Sequence, residues 1–405
     1  MRSLTAIAAA VLAASLLPAV PAASAAQTGV RRMILTPTAD PSTSQYVSWS
    51  RSSATSGQRV QATGPDGVTY TVPARRKTGT TVKTAGSRQY RYVVRLTGLK
   101  PSTSYRYRVV GPGVTSRWRA FRTAGIARAS FQMLQFGDTQ IDNDGVPEKI
   151  IDAATKRFPK ARLLLQAGDV VNKPWIGREW RELHQALSPS GQAKNWISSI
   201  GNHEQCEVTS DCRSGDGRGF RSYFHAPSNG FTEQRPTWFY VDQGPARVIV
   251  LDSFGSDLRR QRAFLAHALR TNDRTWSIVL MHSGPFASVG TRKNTEMRRW
   301  FLPTLEKYDA DLVLMGHDHS YARGRKAGVT YLTSVSGPKY YKTSSEDWRA
   351  GGAERVTSAY RTSTYQVLTV TRTALKVQAI VGHRGKGATP SRKVGATLDV
   401  VTLRR

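Results

Sequence analysis

From residue 130 onward the chain alternates two textures. Runs that are apolar at almost every position, SFQMLQF, RLLLQA, WISSI, ARVIVLD, TWSIVLM and ADLVLM, predict strands buried on both faces. Between them VPEKIIDAATKRF, REWRELHQAL, RRQRAFLAHALR and TEMRRWFLPTLEKY carry apolar residues three and four apart, which predicts amphipathic helices. Strand and helix in alternation is the pattern of an α/β layered domain. VTYLTSVSG, STYQVLTVTRT and ALKVQAIVG then return to strand texture, and the last twenty residues, 386–405, read as a basic tail without clear pattern.

The preceding segment, residues 29 to about 123, is different. RMILTP, QYVSWS, RVQATG, VTYTVPA, QYRYVVRLTGL, SYRYRVVG and SRWRAFRTA are short, alternating or rich in aromatics, with Gly, Pro, Ser and Thr between them. That spacing predicts a small all-β sandwich with Trp49 in its core. LTGLKPSTSYRYRV, with Leu99, Pro101, Thr103 and Tyr105, resembles the tyrosine corner of fibronectin type III-like domains. No catalytic constellation lies in it, so its expected role is support. The domain limits expected are 27–124 for the sandwich and 125–385 for the α/β domain.

Residues 1–26 have one early arginine, an apolar centre and small residues at Ala23-Ser24-Ala25-Ala26, the layout of a secretory signal peptide. Pro18 and Pro21 cut the apolar run too short to span a bilayer, and no later stretch resembles a transmembrane segment. The expectation is a secreted, extracellular protein. Cys206 and Cys212, the only cysteines, fall in the polar loop QCEVTSDC; in an exported chain such a pair is expected to form a disulfide.

The formal charge is +31, from 59 Lys and Arg against 28 Asp and Glu. It favours anionic surroundings: phosphorylated small molecules, a polyanionic substrate, or an anionic cell envelope. The basic residues are scattered, so no specific nucleic-acid partner is expected.

The chemistry lies in the turns at the ends of the apolar runs. SFQMLQF ends in Gly137-Asp138-Thr139-Gln140 and RLLLQA in Gly168-Asp169-Val170-Val171-Asn172. WISSI ends in Gly201-Asn202-His203-Glu204, TWSIVLM in His282, and ADLVLM in Gly316-His317-Asp318-His319. Ligands bind outside the carboxyl ends of strands in open α/β sheets. Each turn alone is weak, since Gly-Asp is an ordinary turn. Five in chain order, holding four of the eight histidines, point to a metal site. Carboxylates, an amide and imidazoles suit Fe, Zn, Mn or Mg rather than a thiolate-type site. Two ions with two aspartates keep excess positive charge, which suits a phosphate dianion, and His317 and His319 can serve two different ions.

The order GD, GDxx, GNH(D/E), strand-His, GHxH resembles the calcineurin-like metallophosphoesterases. With a β-sandwich in front, residues 30 to about 385 are similar to purple acid phosphatases. The resemblance implies a four-layer α/β/β/α domain and two metal ions. Asp138, Asp169 and His319 would bind the first, with Asp169 bridging; Asn202, His282 and His317 would bind the second. Asn202 and His203 would contact the phosphate, and His203 would protonate the leaving oxygen while a metal-bridging hydroxide attacks phosphorus. Phosphate monoesters are the implied substrates; phosphodiesters of nucleotides or envelope polymers, and a non-catalytic binding role, are the alternatives.

The sequence departs from the purple enzymes at three places. Asn172 stands where they have an iron-binding tyrosine. Gln140 stands where many relatives have a histidine, and its amide oxygen is a candidate first-metal ligand, the alternative being that it only lines the site. No histidine lies between His282 and His317. Arg292 and Lys293 fall there; they are candidates to contact substrate anions, with a solvated basic loop the expected reading. Glu204 is expected either to orient His203 or to face solvent, and Tyr321 and Arg323 are candidates for the pocket wall. His184, His225, His267 and His383 lack motif context, with His184 and His267 expected in packed or surface positions on helices.

Overall fold

The computed structural model describes residues 29–76, 83–84, 87–141, 144–205, 217–230, 237–255 and 257–405. The expected signal peptide, Cys206 and Cys212 lie outside the described residues.

The N-terminal domain is a sandwich of two antiparallel sheets. Arg31–Pro37, Gln45–Arg51 and Tyr90–Leu96 form one; Arg59–Thr63, Thr69–Pro73, Ser104–Gly111 and Arg119–Arg122 form the other. Trp49 is buried and stacks on Tyr92, its cross-strand neighbour, with ring centroids 5.7 Å apart. The tyrosine corner forms: the Tyr105 hydroxyl accepts the backbone N–H of Lys100 at 2.8 Å. This sandwich is docked onto the next domain. Leu35 pairs in parallel with Asn195, the Gln45 amide donates to Asn195 Oδ1 at 2.7 Å, and Tyr107 donates to the Gln192 carbonyl at 2.8 Å.

The second domain has four layers. Phe131–Phe136, Leu163–Gln166 and Asn195–Ser198 run parallel in one sheet. Ala246–Val250, Trp276–Leu280 and Leu312–Met315 run parallel in the other. The long strand Glu354–Val370 joins them: its first part pairs with Tyr321–Lys326 and its last with Phe131–Phe136. The alternation of side chains sorts the core. Met133, Leu163, Leu165, Ile278, Leu280, Leu312 and Leu314 meet between the sheets. Leu134, Leu164 and Trp196 point outward to the helices Val146–Arg157 and Gly177–Ala186. Val279, Val313 and Met315 point outward to Leu258–Arg270 and Thr295–Lys307. A strand covered by helices on one side and a sheet on the other must be apolar at every position, which is why the runs lack alternation.

Three strands have no apolar run to announce them. Tyr321–Lys326 (YARGRK) is held by neighbours on both sides. Phe239–Gln243 is fixed by a hairpin to Ala246–Val250. Thr397–Arg404 pairs with Ala374–Thr389, so the segment 386–405 is part of the sheet and not a patternless tail. As an outer strand it packs only Leu398, Val401 and Leu403 partly against the core. Its Asp399 accepts from the Tyr321 hydroxyl at 2.7 Å and from Arg323 at 2.5 and 3.0 Å. Those two residues therefore anchor the last strand; they do not wall the pocket.

Candidate metal centre

The five turns meet at the carboxyl ends of both sheets. Asp169, His282 and His317 offer ligand atoms within 4.8 Å of one another, and so do Asp138, Asp169 and His319. Asp169 belongs to both groups. The turns are tight: Gln140, Asp169, His317 and His319 all have positive φ, between 42° and 70°, which non-glycine residues adopt at a cost of order 1–3 kcal/mol each. The glycines of the motifs give backbone access to the carboxylates. A Cβ on Gly201 would lie 2.1 Å from Asp169 Oδ1, and one on Gly316 2.5 Å from Asp138 Oδ2.

Backbone groups aim the ligand atoms. Asp138 Oδ2 accepts from His317 N at 2.8 Å, and Asp169 Oδ1 from His203 N at 3.0 Å. The Nδ1–H of His282 donates to the Ala167 carbonyl at 2.6 Å, and that of His319 to the Lys339 carbonyl at 3.2 Å. Each ring thereby presents Nε2 inward. His282 Nε2 sits 3.2 Å from both Asp169 Oδ2 and Asn202 Oδ1. His317 packs edge-on against His282, with centroids 5.0 Å apart.

The residues fit a pair of cations. Asp138 Oδ1 is buried without a hydrogen-bond partner, 3.5 Å from His319 Nε2 and 3.8 Å from His282 Nε2. A buried carboxylate oxygen left so is costly unless a cation satisfies it. Burial pushes the Asp138 carboxyl up to about 7, with Asp169 adding to the push and His282 opposing it. Burial opposes a charge on His282 as well, but Asp169 and Asp138 drive its pKa up to about 10. Positive charge is thus drawn to this point by the protein itself. Burial holds His319 down to about 3 and His317 down to about 2, so both are neutral imidazoles with a lone pair to give.

His203 is half-buried and borders the first group, with Nε2 3.8 Å from Asp169 Oδ2. Its Nδ1–H donates to the backbone carbonyl of Asn172 at 2.6 Å. Position 172 thus contributes a main-chain oxygen, whatever its side chain. Gln140 is buried beside the site, but its amide nitrogen faces Asp169 Oδ2 at 3.2 Å, so it steers that carboxylate through an N–H. Glu204 does not face solvent, and its carboxylate is engaged by backbone N–H groups. It is fully buried and accepts from Val170 N at 2.7 Å, Val171 N at 3.1 Å and Gly201 N at 3.0 Å, tying the Asp169 and Asn202 turns together.

Arg292 is not a solvated loop residue: it donates to the His317 carbonyl and to Asp318 Oδ1 at 2.9 Å. Lys293 is exposed. Sequence reasoning did not find Phe254, exposed with its ring 5.2 Å from that of His317, nor Tyr341, whose ring lies 4.9 Å from that of His319. Neither belongs to a motif, and no local signal marks them. The other histidines stand apart from the centre: His184 packs near Tyr223, His225 against Tyr46, and His383 Nδ1 is 2.8 Å from the Tyr340 hydroxyl. His267 lies on the helix Leu258–Arg270.

Two sheets flanked by helices, with Asp, Asn and His gathered at their carboxyl ends, define a metallophosphoesterase fold. Residues 30–123 match the purple acid phosphatase N-terminal domain and residues 131–321 the calcineurin-like phosphoesterase domain. The chain thus carries a domain similar to the calcineurin-like phosphoesterases, with a domain of the purple acid phosphatase N-terminal type in front. It is 28% identical over 265 residues to an uncharacterized protein of Mycobacterium tuberculosis, covering 56% of this chain and 49% of that protein. It is 28% identical over 178 residues to a phosphoenolpyruvate phosphatase of Allium cepa, covering 40% and 36%. The chain thus spans about half or less of the curated relatives it matches. The fold is similar to that of a purple acid phosphatase from yellow lupin seeds, with TM-score 0.73 and 17% identity over 93% of this chain and 74% of that one.

Proposed function

We propose that the chain is an exported phosphoesterase that hydrolyses phosphate monoesters with two metal ions. The observation that carries this reading is the sharing of Asp169 between two ligand groups. Asp138, Asp169 and His319 would hold one ion; Asp169, Asn202, His282 and His317 the other. When bound, such a pair supplies charge to the phosphoryl oxygens and acidifies water. The protein's own residues do the rest. Asn202, whose Oδ1 is turned to His282, borders the place where a phosphate would sit. His203, its Nδ1–H fixed on Asn172, has Nε2 available to deliver a proton to the departing oxygen. The Gln140 amide and the backbone N–H of His203 each hold one Asp169 oxygen and so fix the orientation of that carboxylate.

Export is supported by the leader-like first 26 residues, and among the described residues no helix is long and apolar enough to cross a membrane. The basic charge is consistent with phosphorylated substrates or an anionic envelope. The deciding experiment is nitrophenol release from mono- and bis-nitrophenyl phosphate by chain stripped of metal and reloaded with Mn, Zn or Fe. Metal-dependent turnover with preference for the monoester supports the reading. Preference for the diester would replace it with a phosphodiesterase, and no turnover with any metal would favour a binding protein.

A further inference from the structure

Next to the His317–Asp318–His319 turn lies a cavity of ≈ 670 Å³ walled by Thr291, Arg292, Tyr341, Lys342, Thr343 and Ser344, within the size range of small-molecule sites. Its two walls are joined by the Val289–Thr343 bridge and by Ser344 N donating to the Ser288 carbonyl at 2.7 Å. Both walls are fastened to the histidine turn. Ser288 N donates to Asp318 Oδ2 at 2.5 Å, Arg292 to Asp318 Oδ1, and Tyr341 N to the His319 carbonyl at 3.2 Å. Whatever occupies the cavity therefore sits at a fixed offset from the metal centre.

The lining indicates what that occupant is. Lys342 is exposed, as is nearby Lys339, and neither takes part in an ion pair among the described residues. Arg292 adds a third cation, partly offset by Asp318. Thr291, Thr343 and Ser344 are hydroxyl residues able to donate to oxygen. The aromatic ring is not a free platform: the Arg292 guanidinium lies 5.2 Å and the Lys339 ammonium 5.4 Å from the Tyr341 centroid. The ring holds cations, so it favours anions over a stacked base.

The geometry points to a second, anion-recognising subsite: this cavity takes the non-reacting end of the substrate and selects phosphoesters whose alcohol portion carries another negatively charged group. The inference rests on the phosphoesterase reading and adds the substrate class.

The test compares phosphate release from fructose 1-phosphate and fructose 1,6-bisphosphate by the metal-loaded full chain and its Lys342→Ala and Lys342→Glu variants, with nitrophenyl phosphate as a control. The parent is expected to favour the bisphosphate by about three- to fivefold in kcat/KM, the size of one exposed charge contact, through KM. Lys342→Ala should lose most of that preference and Lys342→Glu should invert it, while both keep the fructose 1-phosphate rate within about twofold, as expected of an exposed residue outside the core. Added salt should shrink the parent's preference. No preference in the parent, or a preference untouched by Lys342→Glu, would overturn the subsite while leaving phosphatase activity standing. Absence of turnover on nitrophenyl phosphate as well would remove both readings together.

Discussion

The ring of His203 is held by the main chain of Asn172: its Nδ1–H meets the carbonyl oxygen at 2.6 Å. The bond fixes the tautomer and leaves Nε2 for chemistry. Because it uses the backbone, Asn172→Ala should keep kcat within about threefold, an effect of surface-substitution size. His203→Ala should lower kcat by about 10²–10⁴, the usual contribution of a general acid, with metal content unchanged. Steady-state kinetics and metal analysis of the two variants check both statements. A large loss in Asn172→Ala would show that the side chain matters as well.

Asp169 takes part in both ligand groups, so its loss should be felt by both ions. Asp169→Asn is expected to fold, to bind fewer than two ions per chain, and to lose turnover. Metal quantification after dialysis, beside circular dichroism, tests this. By contrast, His319→Ala removes a member of one group only and should release one ion before the other.

Glu204 accepts three buried backbone N–H groups. Glu204→Ala leaves them unsatisfied, at about 1–3 kcal/mol for each buried group, and should depress the thermal midpoint markedly. Glu204→Gln, which keeps an acceptor oxygen, should lose less. Thermal unfolding of the metal-free variants separates this structural role from any effect on chemistry; equal midpoints for all three proteins would refute it.

Asp399 supplies a pH dependence away from the metal centre. Burial would raise its pKa, but hydrogen bonds from Arg323 and Tyr321 and the Arg323 charge hold it below the usual carboxylate range. With the folded pKa depressed, the stabilisation is present above the unfolded value and lost as pH falls through the folded one. The parent should therefore lose stability on acidification below about pH 4, the unfolded value. Asp399→Asn should be less stable at neutral pH and show a smaller loss. Denaturant melts at pH 7 and pH 3 measure the difference.

Position 172 also bears on colour. In the purple enzymes a tyrosine at this position binds ferric iron, and here an asparagine lines the cleft with Asp138, Gln140 and His319. Iron-loaded parent protein should lack the visible tyrosinate-to-iron band, and Asn172→Tyr should gain one. A visible spectrum of each decides it.

The sequence alone determined the layered domain and its chemistry, because both are encoded locally. A strand covered on two sides must be apolar throughout, and a helix must show its period, so SFQMLQF or RRQRAFLAHALR announces its own surroundings. One aspartate or histidine in the turn after such a strand says little, but five such turns in chain order declare ligand chemistry. What the tertiary structure decided depends on partners distant in the chain. Tyr321–Lys326 and Thr397–Arg404 become strands because neighbours supply their hydrogen bonds, which no local pattern reveals. Glu204 was legible as a carboxylate next to the site but not as the acceptor that joins two turns, since its direction is set by the packing of three loops. Arg292, Lys342 and Tyr341 come together only because the Val289–Thr343 bridge closes a cavity between segments some fifty residues apart. Residue type and spacing fix what a side chain can do; the long-range pairing of strands and turns fixes which other groups it meets.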